Sequence, residues 1–152
     1  MDILQHEEFM GLALKEALAA LKRGEVPVGC VICDENGKII ASAGNRCEEL
    51  HDATAHAEVE AIRAASAYKN DWRLDGCTLF VTLEPCPMCA GAIINARIST
   101  VVFGAKDEVK GSCGSVIDLF SENYPSHPAV FGGILAPKST ELLQTFFRGQ
   151  RN

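Results

Sequence analysis

Residues 77–89 read CTLFVTLEPCPMC, and this stretch decides the fold. Its first part, Cys77 to Leu83, is a short apolar run, which predicts a buried strand. Pro85 then opens a helix that we expect to run through Ala96, because proline is tolerated in the first helical turn. The stretch therefore predicts a strand that passes directly into a helix, the repeating unit of an α/β sheet.

Further elements flank this stretch on both sides. Apolar residues at three- and four-residue steps predict an amphipathic first helix, and the turn signal Asn36-Gly37 predicts a hairpin between two strands. Asp52 and Thr54 are candidate N-caps for a later helix. The expected helices are 7–21, 53–68 and 139–147, and the expected additional strands are 26–33, 38–43 and 100–104. Between 104 and 139 lie a glycine-rich loop, a short apolar segment over 116–120 and a proline-containing stretch that ends at Pro128.

The order of these elements predicts the architecture. A helix and two strands come first, and helices then alternate with strands, which places helices on both faces of one sheet. We therefore expect an α/β protein with a three-layer α/β/α sandwich. At 152 residues and 47% hydrophobic composition, the chain fits a single domain spanning 1–152.

Charge and cysteine usage narrow the class of protein. The net charge of −6 argues against indiscriminate nucleic-acid binding, although it allows a local basic groove. Seven cysteines, an odd number without the spacing of a small disulfide-rich domain, favour reduced thiols. No apolar run reaches the length of a membrane span, and the first residues do not resemble a secretory leader. We expect a cytoplasmic protein that does not contact membranes.

Two short motifs carry the chemistry. His56-Ala57-Glu58 precedes Pro85-Cys86-Pro87-Met88-Cys89 by about thirty residues, which supplies three zinc ligands, His56, Cys86 and Cys89, and one carboxylate that is not a ligand. Structural zinc sites usually show two close ligand pairs, so this pattern favours a catalytic site with an open corner. The alternatives are a C-x-x-C pair that merely packs, or a structural zinc site closed by His51 or Cys47.

Glu58 is the expected catalytic residue. An H-x-E motif followed by P-C-x-x-C is the signature of zinc-dependent base deaminases. Two thiolates reduce the acidifying power of the zinc, so a nearby base becomes necessary. We expect Glu58 to accept a proton from the attacking water, deliver it to a ring nitrogen and protonate the departing ammonia.

A second cysteine pair, Cys30 and Cys33, lies on a predicted strand. Side chains three residues apart on a strand point to opposite faces, so these sulfurs should not bind a metal together. We expect both to lie in the core, and we expect Cys47, Cys77 and Cys113 to be structural or incidental.

The chain resembles the cytidine deaminase superfamily over nearly its whole length. The resemblance rests on VPVG at 26–29, GNR at 44–46, HD at 51–52, TAHAE at 54–58, TLEPC at 82–86 and MCAGA at 88–92. These segments look like bacterial tRNA-specific adenosine deaminases of the TadA type, and the likeness continues in VVFGAKD at 101–107, GS at 114–115, GIL at 133–135 and FFR at 146–148.

This resemblance implies a function and a set of contacts. It implies conversion of adenosine to inosine at the wobble position of a tRNA anticodon, one Zn²⁺ per subunit, a homodimer, and a mixed five-stranded sheet. Asn45 resembles the residue that hydrogen-bonds the purine edge, Asp107 a residue near the ribose-phosphate, and Val28 a pocket wall. Phe146 and Phe147 resemble an aromatic pair beside the RNA, of which helix geometry predicts that at most one, Phe147, lines the binding surface. Ala57, inside the zinc motif, completes the expected substrate-binding residues.

Two alternatives remain open. A deaminase of a free nucleobase or nucleoside (guanine, cytosine or cytidine) would use the same chemistry, and guanine deaminases of the superfamily also show the P-C-P-M-C sequence. A non-catalytic zinc module that binds RNA or protein would lack the base. One continuous positive rim around the zinc would favour RNA, whereas scattered charges would favour a small substrate; the candidate cations are Arg46, Lys106, Lys110, Arg148 and Arg151.

Overall fold

The computed structural model describes residues 1–150 and is built around a five-stranded sheet. The helices are α1 Ile3–Lys22, α2 Cys47–Leu50, α3 Ala57–Lys69, α4 Pro87–Asn95 and α5 Ala136–Gln150. The strands are β1 Gly29–Cys33, β2 Ile39–Gly44, β3 Thr78–Leu83, β4 Thr100–Ala105 and β5 Ala129–Phe131. A short 3₁₀ turn covers Leu119–Ser121.

The sheet is mixed, with the strand order β2-β1-β3-β4-β5. Strand β1 runs antiparallel to both of its neighbours, whereas β3, β4 and β5 pair in parallel. Strands β2, β3, β4 and β5 therefore all point the same way. Their carboxyl ends meet at one edge of the sheet, which is where open α/β folds place their sites.

Helices cover both faces of the sheet. Helices α1 and α5 contact each other and pack on one face, while α3 and α4 contact each other and cover the opposite face. Alternate strand residues divide accordingly: Val31 and Phe80 join the core cluster that contains Met10 of α1, whereas Ile32 and Leu79 join the larger cluster beneath α3 and α4. The expected three-layer α/β/α sandwich is confirmed.

The two cysteines of β1 follow the same alternation. Cys30 belongs to the cluster beneath α3 and α4, and Cys33 to the cluster beneath α1. Both are fully buried. The prediction that these sulfurs face opposite sides of the sheet is confirmed.

Helix α1 packs very closely on β1. A Cβ added at Gly29 would overlap the backbone carbonyl of Ala13 and lie 2.5 Å from the backbone nitrogen of Ala17. Only glycine permits this approach at the start of β1. The strand therefore enters the sheet directly beneath the helix.

Several boundaries differ from the sequence prediction. Helix α1 begins four residues earlier than expected, because Asp2 and Gln5 form a reciprocal capping box. Helix α3 begins at Ala57 with His56 as its N-cap, so the prediction of Asp52 or Thr54 as N-cap is wrong. Asp52 instead accepts hydrogen bonds from the backbone N–H and hydroxyl of Thr54 and shapes the preceding turn.

The remaining differences concern short elements. Helix α2 was not predicted, and the fifth strand, β5, lies at Ala129–Phe131, a position that the sequence did not reveal. None of the helices within residues 1–150 combines the length and the hydropathy that a membrane-spanning segment requires.

Candidate active site

Two helix N-termini bring the three predicted zinc ligands together. His56 is the N-cap of α3, Cys86 is the N-cap of α4, and Cys89 lies in the first turn of α4. The His56 Nδ1 atom lies 3.6 Å from the Cys86 sulfur and 3.5 Å from the Cys89 sulfur. The sequence prediction that these residues converge is therefore matched by the geometry.

The spacing of these three atoms fits a zinc ion. Tetrahedral zinc with ordinary Zn–N and Zn–S bond lengths requires a nitrogen-to-sulfur separation of about 3.6 Å. The three ligand atoms lie within 4.8 Å of one another, and imidazole with thiolates is a typical zinc donor set. Nδ1 of His56 is the ring nitrogen that faces the metal position.

The two sulfurs are chemically prepared to bind a metal. A hydrogen bond from the Cys89 thiol lowers the pKa of Cys86 to about 4, and the same interaction raises the pKa of Cys89. Cys86 is therefore a thiolate at neutral pH. Thiolates are the ligand form, so Cys89 would lose its thiol proton on binding zinc.

The site has an open corner. In the part of the chain that the structure describes, this is the one group of three or more potential ligands close enough to hold a metal. Neither His51 nor Cys47 belongs to it. Both Cys86 and Cys89 are free cysteines. Since no fourth residue of the described chain joins the cluster, the structural-zinc alternative has no support in the geometry.

Glu58 lies beside the ligand cluster but outside it. It is the second residue of α3, and its side chain is buried, with 4% exposure. Burial raises the pKa of Glu58 to about 7, so the carboxyl group can both accept and donate a proton near neutral pH. Glu60, two residues further along α3, is paired with Arg46 and Arg63.

A cavity of about 520 Å³ opens above these residues. Most of the predicted substrate contacts line it: Val28, Asn45, Asp107 and Phe147. Ala57 is fully buried and is not among the lining residues.

Both aromatic residues of α5 reach the cavity. Phe146 lines it as well as Phe147, so the prediction that at most one of the pair does so is wrong. Their rings meet edge to face, with centroids 5.3 Å apart, and together form one apolar wall.

Asn45 follows β2 and connects three parts of the site. Its side-chain oxygen accepts a hydrogen bond of 2.8 Å from the backbone N–H of Ala57, and its amide nitrogen donates to the Val26 carbonyl at 3.1 Å. An asparagine side chain has two donors and two acceptor positions. Within the described residues these two bonds leave one donor and one acceptor position of Asn45 unused, and Asn45 lines the cavity.

Asp107 follows β4 and shapes a turn at the cavity wall. Its Oδ1 atom accepts hydrogen bonds from the backbone N–H groups of Val109 and Lys110. This arrangement, typical of an Asx turn, fixes the start of the segment 107–115.

Two buried carboxylates that line the cavity, Glu25 and Glu84, were not predicted from the sequence to be site residues. Glu25 is 1% exposed and accepts hydrogen bonds from the backbone N–H groups of Glu48 and Glu49, which anchors the short helix α2. Glu84 is 2% exposed and holds the segment 107–115. Burial acts to raise the pKa of Glu84, but hydrogen bonds from Ser115 and from backbone N–H groups outweigh this effect and lower the pKa. Glu84 lies within the TLEPC stretch at 82–86, but the sequence does not reveal the role of either glutamate, because the hydrogen-bond partners lie in distant segments of the chain.

The candidate cations do not form one continuous rim in the described residues. Lys106 and Lys110 line the cavity. Arg46 is paired with Glu49 and Glu60 in a separate shallow pocket, and the Arg148 guanidinium lies 3.4 Å from the Thr145 hydroxyl. Arg151, the fifth candidate, lies outside the described residues.

Comparisons with known proteins agree with this site. Residues 3–105 match the family model described as "Cytidine and deoxycytidylate deaminase zinc-binding region". The chain is 45% identical over 148 residues to the tRNA-specific adenosine deaminase of Agrobacterium fabrum, covering 97% of each chain. It superposes with a TM-score of 0.86 and 46% identity on a structure from a study of A-to-I editing by tRNA:A34 deaminases, covering 90% of this chain and 99% of that one. A guanine deaminase from Bacillus subtilis matches at 29% identity and a TM-score of 0.64, covering 100% of this chain and 96% of that one. The chain therefore belongs to the cytidine and deoxycytidylate deaminase family of zinc-binding proteins.

Proposed function

We propose that this protein hydrolyses adenosine to inosine at the wobble position of a tRNA anticodon. The observation that carries the proposal is the burial of Glu58 beside the His56, Cys86 and Cys89 cluster, at the base of an open cavity. The choice of substrate is supported by the full-length similarity to relatives named tRNA-specific adenosine deaminase.

The chemistry requires water, a base and an acid at one point. When held by these three ligands, zinc supplies Lewis acidity that makes water a better nucleophile at neutral pH. Glu58 accepts a proton from that water as the oxygen bonds to C6 of adenine, and it passes the proton to ring N1. Glu58 then delivers the second proton of the water to the amino group, the C6–N6 bond breaks, and ammonia leaves. The balance is adenosine plus water to inosine plus ammonia.

The cavity walls suit an extruded base. An enzyme that acts on a base within a stacked loop must take that base out of the stack and hold it in a pocket. Val28 provides an apolar wall, and Phe146 and Phe147 provide aromatic surface at the mouth. The unused donor and acceptor of Asn45 can then read the edge of the purine.

An RNA substrate assay tests the proposal. Anticodon stem-loops with adenosine at the wobble position should yield inosine and one equivalent of ammonia. The matched control is the same stem-loop with guanosine at that position, which should be unchanged. Absence of inosine in the presence of a zinc-loaded protein would refute the proposal.

A second candidate function, deamination of a free base such as guanine, is favoured by the scattered arrangement of the candidate cations and by the charge of the cavity lining. Six acidic residues line the cavity against two lysines, Lys106 and Lys110, which is an unfavourable balance for polyanion binding. The acidic residues are Glu25, Glu48, Glu58, Glu84, Asp107 and Glu108. Incubation with free guanine, cytosine and cytidine separates the two functions, because ammonia from one of these without inosine in RNA would select the second.

We also propose that the whole chain forms one catalytic domain that acts in the cytoplasm as a homodimer. The outer side of α4 supports pairing, because Met88 is exposed and Gly91 faces open space. Sedimentation equilibrium should give twice the chain mass, and Met88→Glu should shift the equilibrium toward the monomer without changing the zinc content. A wild-type protein that sediments as a monomer at micromolar concentration would contradict the dimer.

A further inference from the structure

Glu84 lies at the carboxyl end of β3, between the sheet and the first zinc-ligating cysteine. Its carboxylate accepts four hydrogen bonds. Oε1 accepts from the Asp107 N–H at 3.1 Å and from the Ser115 hydroxyl at 2.5 Å. Oε2 accepts from the backbone N–H groups of Cys113 at 3.0 Å and Ser115 at 3.1 Å. All four donors belong to one segment, residues 107–115.

Apart from these bonds, the segment is held by the Leu119 N–H, which donates to the Ser112 carbonyl at 2.9 Å, by a bridge between Cys113 and Asp118, and by packing of Cys113 on the core. It contains no strand or helix of its own, and its largest apolar side chain, Val109, is 79% exposed. Its other hydrogen bond to the β3–α4 connection runs from the Ser112 N–H to the Pro85 carbonyl at 2.9 Å. Yet the same segment, with Lys106, forms the cavity wall that contains both lining lysines.

Gly111 allows the carboxylate to come this close. A Cβ added at Gly111 would lie 2.5 Å from Cδ and 2.6 Å from Oε1 of Glu84, distances that real Cβ atoms do not show. The absence of a side chain at Gly111 therefore makes room for the Glu84 carboxylate, although the two residues are 27 positions apart in the sequence.

Only a carboxylate satisfies this arrangement. An ionised carboxyl group is purely an acceptor, with room for about four hydrogen bonds. A glutamine would turn an NH₂ group toward two of the four donors, so at least two hydrogen bonds would be lost and donors would face donors.

We propose that Glu84 is a positioning residue that fixes residues 107–115 as the substrate-facing wall of the cavity. Glu84 does not act on the reacting atoms. It acts through the segment, by placing Asp107 and Lys110 where an RNA substrate passes. This inference rests on the proposed RNA-deaminase function and extends it to a residue outside the zinc motifs.

Two variants disturb the contact from opposite sides. Glu84→Gln removes acceptor capacity, and Gly111→Ala forces the segment away while keeping the carboxylate. Gly11→Ala is the matched control, because a Cβ at Gly11 in α1 meets nothing within 4 Å. Each protein is first analysed for zinc content by mass spectrometry and for the amide exchange of β3, which together establish that it is folded.

The first readout is amide hydrogen exchange and needs no activity. The N–H groups of Asp107, Cys113 and Ser115 should exchange at least about tenfold faster in Glu84→Gln and Gly111→Ala, because they lose their acceptor, while Gly11→Ala should match the wild type. Wild-type exchange at these three amides in both variants would overturn the inference.

The second readout is the separate measurement of KM and kcat on an anticodon stem-loop that carries adenosine at the wobble position. KM should rise at least about tenfold in both variants, with a smaller change in kcat, because substrate placement and not proton transfer is impaired. A fall in kcat at unchanged KM would overturn the positioning role. If the wild-type protein leaves the stem-loop untouched, the proposed function fails, and the exchange experiment still decides whether Glu84 holds the segment.

Discussion

The side-chain oxygen of Asn45 accepts a hydrogen bond from the backbone N–H of Ala57 at 2.8 Å, which ties the end of β2 to the first turn of α3. The amide of the same side chain donates to the Val26 carbonyl. Asn45, which lines the cavity, therefore also links β2 to α3, the helix that has His56 as its N-cap and carries Glu58.

Asn45→Ala should therefore lower stability as well as substrate affinity. Truncation leaves the buried Ala57 N–H without its partner, a loss of about 1–3 kcal/mol in the free energy of unfolding. Urea denaturation of the variant and the wild type measures this difference in the free energy of unfolding. Asn36→Ala, in an exposed turn with no side-chain hydrogen bond of its own among those described, is the control and should change stability far less. Equal effects at the two positions would contradict the bridging role.

Glu58→Ala should separate metal binding from turnover. Because Glu58 lies outside the ligand cluster, the variant should keep one zinc per chain, yet the deamination rate should fall between about 100-fold and 10,000-fold. Cys86→Ser should instead lose the metal. Metal analysis gives the zinc content per chain, and single-turnover kinetics give the deamination rate.

The control for this pair is Glu60→Ala, on the same helix but not on the cavity. It should retain both zinc and turnover. Near-normal turnover in Glu58→Ala would remove the proton-transfer role assigned to that residue.

Gly29→Ala should destabilise the protein because α1 leaves no room for a methyl group. The added Cβ would overlap the Ala13 carbonyl, so the helix must shift, at a cost of about 1–3 kcal/mol or more. Gly11→Ala, where the space is open, should instead raise stability by about 0.4–1 kcal/mol. The two unfolding midpoints, measured side by side, test the packing of α1 on β1, and a neutral Gly29→Ala would show that the packing is looser than described.

His6 should make stability depend on pH on the acidic side. Its ring contacts Phe131 and Phe80, with centroids 5.1 and 6.0 Å apart. Burial, followed by the N-terminal ammonium group, lowers the pKa of His6 below the ordinary value of 6.5, against a smaller opposing effect of Asp2. The unfolded chain therefore binds the proton more tightly than the folded one.

The sign follows directly from this difference. Stability contributed by the neutral imidazole is complete above pH 6.5 and decreases as the pH falls through 6.5 toward the lower pKa of the folded state. The loss of unfolding free energy between pH 7 and pH 5 should be smaller in His6→Gln than in the wild type. Parallel pH profiles for the two proteins would show that His6 makes no such contribution.

The elements with strong periodicity were predictable from the sequence, and the short ones were not. Helix α1 and strand β3 each show a clear pattern, and the three predicted zinc ligands match the spacing of a known deaminase signature. The reciprocal pair Asp2 and Gln5 was also readable, because an acidic N-cap followed three residues later by Glu or Gln is a known start signal.

The missed elements carry too little information of their own. Strand β5 has only three residues, all exposed, and is held by its pairing with β4, so it shows no buried alternation. Helix α2 has four residues and is held by the Glu25 carboxylate through backbone N–H groups. Glu25 accepts hydrogen bonds from the backbone N–H groups of Glu48 and Glu49, and Glu84 accepts three of its four from backbone N–H groups. Because any residue type supplies a backbone N–H, such contacts leave no sequence pattern to detect.

Because β1 runs antiparallel to the other four strands, its start lies at the sheet edge where those strands end. Residues at the sheet edge come from the start of β1 and from the ends of β2, β3 and β4, and the aromatic wall comes from α5. Contacts between such distant segments form late and slowly compared with local ones. A nascent chain whose α5 still lies within the ribosome therefore already contains the predicted metal ligands but lacks the aromatic wall of the cavity.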